Sequence, residues 1–177
     1  MKLNSAKLRR AESGDLNSKM AEKHEIYIIL DNVLDTYNVG AVFRLADATA
    51  ARKIILCGRT ETPPNTRIKK SSINTVDLTE WEHFEKTTDA INNLRQTVEG
   101  IKIVAVELTD KSIDYTKADY SYPVALIIGN ETHGVSEEVL ETCDQIVELP
   151  MFGVNVSINT MVSLAIILYK TLESNRS

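Results

Sequence analysis

The chain has 177 residues, 43% of them apolar and 25% charged, with a formal net charge of −5. These values suit one soluble globular domain that buries a single core without disulfides or a structural metal, and no apolar run approaches the roughly 20 residues that span a bilayer. The acidic balance argues against a surface that binds nucleic acid everywhere, because phosphate contacts rest on Lys and Arg, and leaves local basic patches open.

Residues 1–24 read as a basic arm, with six Lys or Arg, among them Lys7, Arg9 and Arg10, against three acids. No apolar segment of the signal-peptide kind follows it, so the expected compartment is the cytoplasm. EIYIIL (25–30) is a short β-branched run ending in the turn-favouring pair Asp-Asn, which predicts a buried strand. NVGAVFRLADATA (38–50) places Val39, Val42, Phe43 and Ala46 at helical spacing, with Asn38 where a cap would sit. KIILC (53–57) is a second strand. The segment 58–81 contains Pro63-Pro64 and many Thr, Ser and Asn, and reads as a long loop with one basic helical turn at TRIKKSSI. It carries Arg59, Arg67, Lys69 and Lys70 against a single acid between 59 and 70, a second local concentration of positive charge.

TTDAINNLRQTVEG (87–100) predicts a helix closed by Gly100. IKIVAVEL, PVALIIG and QIVELP give three more strands, with a helix at SEEVLETC between the last two. Continuous apolar strands alternating with helices imply an α/β fold, a mostly parallel sheet covered on both faces. The final helix, SINTMVSLAIILYKTLE, is apolar around nearly its whole circumference, which in so small a domain favours a subunit interface.

No dinucleotide, phosphate-loop, zinc-protease or serine-elbow motif occurs. Cys57 and Cys143 form no CxxC pair, and His24, His83 and His133 are scattered, so neither a metal site nor a Ser-His-Asp triad is expected. Polar residues gather instead at the carboxyl ends of three strands, in DNVLDTYNVGAVFR, GNETHG and LPMFGVNVSIN. In open parallel sheets ligands bind at that edge. By residue type alone, GNETHG (129–134) admits a metal ligand set, a histidine catalyst or a tight turn.

NVGAVFR resembles the N-x-G-x-x-x-R motif, GNETHG the G-x-E-x-x-G motif, and LPMFGVNVSIN the P-M-x-G-x-x-x-S-L-N motif of the SpoU (TrmH-like) RNA methyltransferases of the SPOUT superfamily. The three occur in that family's order over residues 38–159, so the resemblance covers the chain after about residue 24. It implies an S-adenosylmethionine-dependent methyltransferase acting on an RNA ribose 2′-hydroxyl, with tRNA favoured over rRNA. It also implies a SPOUT domain over 25–177, a C-terminal trefoil knot, a homodimer, and no metal or membrane partner.

The matched catalytic positions are Asn38, Arg44, Glu131, Ser157 and Asn159. The family casts its arginine as the general base, but a guanidinium, with a side-chain pKa above about 12, is better suited to clamping phosphate and stabilising a developing oxyanion. Glu131 either orients Arg44 or holds the loops together. Cofactor contacts are implied at Ile128, Gly129, Asn130 and Gly134 in the second motif. In the third they are implied at Leu149, Pro150, Met151, Gly153, Ser157 and Ile158. Arg9, Arg10, Arg59, Arg67, Lys69 and Lys70 are the candidate RNA contacts. After Asn159 the chain reads TMVS where Val-Ser-Val-Ala is more typical, which puts packing beside the cofactor in doubt. The rival readings are a non-catalytic RNA-binding or assembly factor on the same fold, and an α/β protein binding another nucleotide.

Overall fold

A computed structural model describes residues 22–176. Most of the basic arm, including Lys7, Arg9 and Arg10, lies outside the described residues. Seven strands form one sheet: β1 (His24–Asp31), β2 (Ala51–Cys57), β3 (Glu80–Phe84), β4 (Lys102–Val106), β5 (Ile113–Asp114), β6 (Val124–Gly129) and β7 (Gln145–Glu148). Their spatial order is β3-β2-β1-β6-β4-β7-β5, and every pairing is parallel. The α-helices of the described residues are α1 (Thr36–Ala48), α2 (Thr66–Ser72), α3 (Thr87–Thr97), α4 (Glu137–Leu140) and α5 (Thr160–Ser174).

The sheet separates two apolar layers, because successive strand side chains point to opposite faces. Ile26, Ile28 and Leu30 of β1 join Val42 and Phe43 of α1, Ile68 of α2, and Leu164 and Ile167 of α5 in one layer. Tyr27 and Ile29 face the other way, onto Ala90, Ile91 and Leu94 of α3.

Several sequence expectations need correction. Asn38 is not the cap of α1: Asp35 is, its carboxylate accepting the Tyr37 N–H at 2.8 Å, and Asn38 is buried one turn inside the helix. The expected loop 58–81 is more ordered than its Thr, Ser and Asn content suggested. It holds α2, capped by the Asn65 side chain, a 3₁₀ turn at Thr75–Leu78, and the start of β3. Strand β3 escaped notice because EWEHF is polar; it lies at the sheet edge, where one side need not be buried. The final helix starts only at Thr160 and buries one face through Met161, Leu164, Ile167, Leu168 and Thr171. Val162, Ile166 and Tyr169 remain exposed on its other side.

Candidate functional site

Strands β1, β6, β4 and β7 are successive neighbours, so their carboxyl ends bring together the loops after Asp31, Gly129 and Glu148. The second of these loops is closed on itself. Asn130 and Gly134 exchange two backbone hydrogen bonds of 3.0 and 2.8 Å, and the Asn130 side-chain oxygen accepts the N–H groups of Thr132 and His133. The Asn130 amide also donates to the Asn32 carbonyl at 2.9 Å, fastening this loop to the one after β1. Gly134 has φ +68°, the left-handed region that favours glycine. A Cβ on Gly129 would fall 2.1–2.2 Å from backbone atoms of Gly134 and Val135, so the two strands of this turn touch across a space that only glycine leaves.

Glu131 completes the connection. Its carboxylate accepts the Asn38 side-chain amide at 2.9 Å and the N–H groups of Leu34 and Asp35 at 3.2 and 3.1 Å. It therefore holds the first and second loops together and makes no bond to Arg44. Burial alone would raise its pKa, but these donors outweigh burial and hold the carboxyl below its usual range. A carboxylate with a lowered folded pKa contributes stability that is complete above its unfolded value, about 4.3, and lost as pH falls through the folded value. The Leu34 and Asp35 amides should thus show an NMR titration below that pH in the native protein. The titration should be absent in Glu131→Gln; its persistence there would assign it to another group.

Between the second and third loops lies a cavity of about 220 Å³. Behind it lie Val106, Ile128 and Val147 of three adjacent strands, the last two buried in the core, while Leu149, Met151, Val156 and Ile158 bring accessible apolar side chains to its wall. Of the residues expected to contact a cofactor, Ile128, Gly129, Asn130, Gly134, Leu149, Met151, Ser157 and Ile158 line it, and Pro150 and Gly153 do not. A Cβ on Gly153 would meet nothing within 4 Å. Residues 151–159 are exposed, with Phe152 and Val154 almost fully so. Asn159 caps α5 by accepting the Met161 N–H at 2.8 Å. In the atypical TMVS segment Met161 turns into the core, while Thr160 and Ser163 line the cavity.

Arg44 is exposed on α1, outside the cavity lining, and makes no hydrogen bond or ion pair with the described residues. Arg59, Arg67, Lys69 and Lys70 are likewise exposed and free of ion pairs among the described residues. His133 is exposed. No group of three or more His, Cys, Asp or Glu able to hold a metal exists among the described residues, and no helix there is long and apolar enough to cross a membrane.

Sequence reasoning passed over two features of this edge. Asp31, only 2% exposed, accepts from the Thr87 hydroxyl at 2.6 Å, the Asn32 amide, and both the N–H and hydroxyl of Ser136, tying β1 to the starts of α3 and α4. Glu107 and Glu148 border the cavity beside the motif residues. The Asp-Asn pair ending the first strand was the available signal for Asp31, read only as a turn. Glu107 had no signal, because nothing in the sequence placed β4 between β6 and β7.

The sequence profile of the SpoU rRNA Methylase family matches residues 25–169. The chain belongs to this family. Among its relatives, a putative TrmH family tRNA/rRNA methyltransferase of Bacillus subtilis is 32% identical, over 90% of this chain and 64% of its own length. The tRNA (guanosine(18)-2′-O)-methyltransferase of Aquifex aeolicus is 31% identical, over 82% of this chain and 68% of its own. The AdoMet-bound rRNA methyltransferase of Sinorhizobium meliloti superposes with a TM-score of 0.79 at 30% identity, covering 96% of this chain and 61% of that one. The chain thus spans a little under two thirds of the Bacillus and Sinorhizobium proteins, and the SpoU fold it shares with them is the α/β sheet described above.

Proposed function

We propose that this chain is an S-adenosylmethionine-dependent methyltransferase that modifies the 2′-hydroxyl of an RNA ribose, tRNA before rRNA. The observation that carries this reading is the meeting of the second and third motif loops around one cavity. Meanwhile Glu131 clamps the first motif's Asn38 to the same edge. The residues fit the cofactor: Leu149, Met151, Val156 and Ile158 offer accessible apolar side chains to adenine, and Gly129 and Gly134 keep the backbone free of side chains. Among the described residues no Lys or Arg lines the cavity, so a phosphate-bearing nucleotide would find no counter-charge from them there.

The bound cofactor supplies an electrophilic methyl group on a positively charged sulfur. The chain's own part is to bring a ribose hydroxyl to it and to stabilise the charge that develops as that hydroxyl loses its proton. Arg44, exposed and unpaired among the described residues, is free to take an RNA phosphate or the developing oxyanion. Glu131 and Asn38 fix the loop that leads into its helix. Ser157, on the cavity wall, makes no hydrogen bond within the described residues, which leaves its hydroxyl available to ligand. Arg59, Arg67, Lys69 and Lys70 supply the local positive charge that an acidic protein needs to hold RNA, and Arg9 and Arg10 of the arm extend it.

The apolar stripe Val162, Ile166 and Tyr169, with Phe152 and Val154, supports a homodimer, because so much exposed apolar surface is unusual on a monomer. Light scattering should return twice the chain mass. A C-terminal knot belongs to the same proposal. Helix α5 packs on β6 and α1 although β7, just before it, lies two strands away from β6. A cytoplasmic location belongs to the same proposal and is in keeping with an RNA substrate.

The deciding experiment incubates the protein with labelled S-adenosylmethionine and total RNA and maps the 2′-O-methylated positions. Transfer to a tRNA pool is the expected result. Normal cofactor binding without transfer to any RNA would replace the enzyme by a binding factor on the same fold.

A further inference from the structure

We infer that Glu107, together with Glu148 and Glu131, makes the cavity select its cofactor by charge, favouring the sulfonium over the neutral thioether that remains after transfer. The inference rests on the cofactor assignment above. Because β4 lies between β6 and β7, Glu107 at its end stands between the two cofactor-side loops. Its own N–H donates to the Val147 carbonyl at 3.0 Å. One carboxylate oxygen accepts the Val135 N–H at 2.8 Å and the other the Leu108 N–H at 3.0 Å. A Cβ on Gly134 would come within 2.1 Å of this carboxylate, so the glycine is what lets an acid sit against the loop. Glu148 is held by the Ser112 hydroxyl, and Glu131 by Asn38 and two backbone N–H groups.

Glu107, Glu131 and Glu148 are all lining residues of the cavity. Their partners are neutral donors: none of the three belongs to an ion pair among the described residues, and no Lys or Arg lines the cavity with them. The negative charge around this space is therefore not cancelled within the described chain. An apolar adenine slot has no use for it, but a cationic ligand does.

Methyl transfer changes the ligand's charge by one unit. The bond from methyl carbon to sulfur breaks and its electron pair stays on sulfur. A carbon–oxygen bond forms to the ribose, and the hydroxyl proton leaves to solvent. The sulfonium becomes a neutral thioether, while the amino-acid portion keeps its paired charges in both. The attraction that helped load the cofactor is thus lost at the moment of reaction, and product release is eased without any movement of the protein. At the separations of a small cavity open to water, one carboxylate favours the cation on the order of tenfold.

The test is calorimetric titration of S-adenosylmethionine, S-adenosylhomocysteine, and sinefungin, in which a protonated amine replaces the methylsulfonium. The native protein, Glu107→Gln, Glu148→Gln and the double variant are compared. The native protein should bind both cationic ligands about tenfold or more tighter than the thioether, with the advantage shrinking as salt is raised. Each single variant should lose part of that advantage and the double variant most of it, Glu131 keeping the remainder. The ratio of affinities does not depend on how much protein is folded, since all ligands see the same folded fraction. Equal native affinities, or a ratio unchanged in the double variant, would overturn charge selection while leaving the cofactor assignment standing. Failure of all three ligands to bind the native protein would overturn both.

Discussion

Replacing Arg44 by alanine is expected to lower the rate of RNA ribose methylation by about 10²–10³-fold, with cofactor affinity and thermal stability unchanged. The stability half follows from the structure: the side chain is exposed on α1 and bonds to nothing in the described chain. Its removal should stay within the roughly ±0.5 kcal/mol of ordinary surface changes. The rate half follows from chemistry, since a planar guanidinium presents paired N–H groups to a phosphate or an oxyanion and no other exposed group of the motif does so. Steady-state kinetics with saturating cofactor, set beside thermal melts, measures both halves. Arg44→Lys separates the roles, because an ammonium keeps the charge but not the fork. Near-full activity with lysine would remove both bidentate clamping and any special basicity of the arginine. A large fall in melting temperature for Arg44→Ala would mean that the residue supports the fold.

Gly129→Ala should weaken cofactor binding by about 10- to 100-fold and lower thermal stability, each through a cost of about 1–3 kcal/mol. The added methyl would overlap the Gly134 carbonyl group and the Val135 nitrogen, which are backbone atoms and have no rotamer into which to retreat. To make room, the Asn130–Gly134 pair must separate, and with it the wall of the cavity. Gly153→Ala is the control, since its Cβ meets nothing within 4 Å and stability should be unchanged. Calorimetric titration and melting curves of the two variants decide the matter. Tight binding by Gly129→Ala would show that the ligand does not use this wall.

The strands that carry the site were legible as short continuous apolar runs, and the helices by apolar residues three to four positions apart. EIYIIL, KIILC, PVALIIG and the α3 segment all lie close to their expected places. The edge strand β3 and the two-residue β5 were not legible, since a strand with one side unpaired needs no apolar signature. The cap of α1 was misread because Asp35 and Asn38 are both good caps, and only the Glu131 contact, 93 residues away, commits Asn38 to another task.

By itself the sequence determined the α/β alternation, the three motifs and hence the family, because local spacing and residue type carry that information along the chain. Tertiary structure alone decided which motif residues meet. Sheet order put Glu107 between the second and third motif loops and joined Asp31 to Thr87 and Ser136. It also turned Glu131 toward Asn38 and away from Arg44. Strand order depends on which edges pair across long loops, and the inner strands, apolar and nearly alike, record in their residues that they are buried and not which neighbour they take.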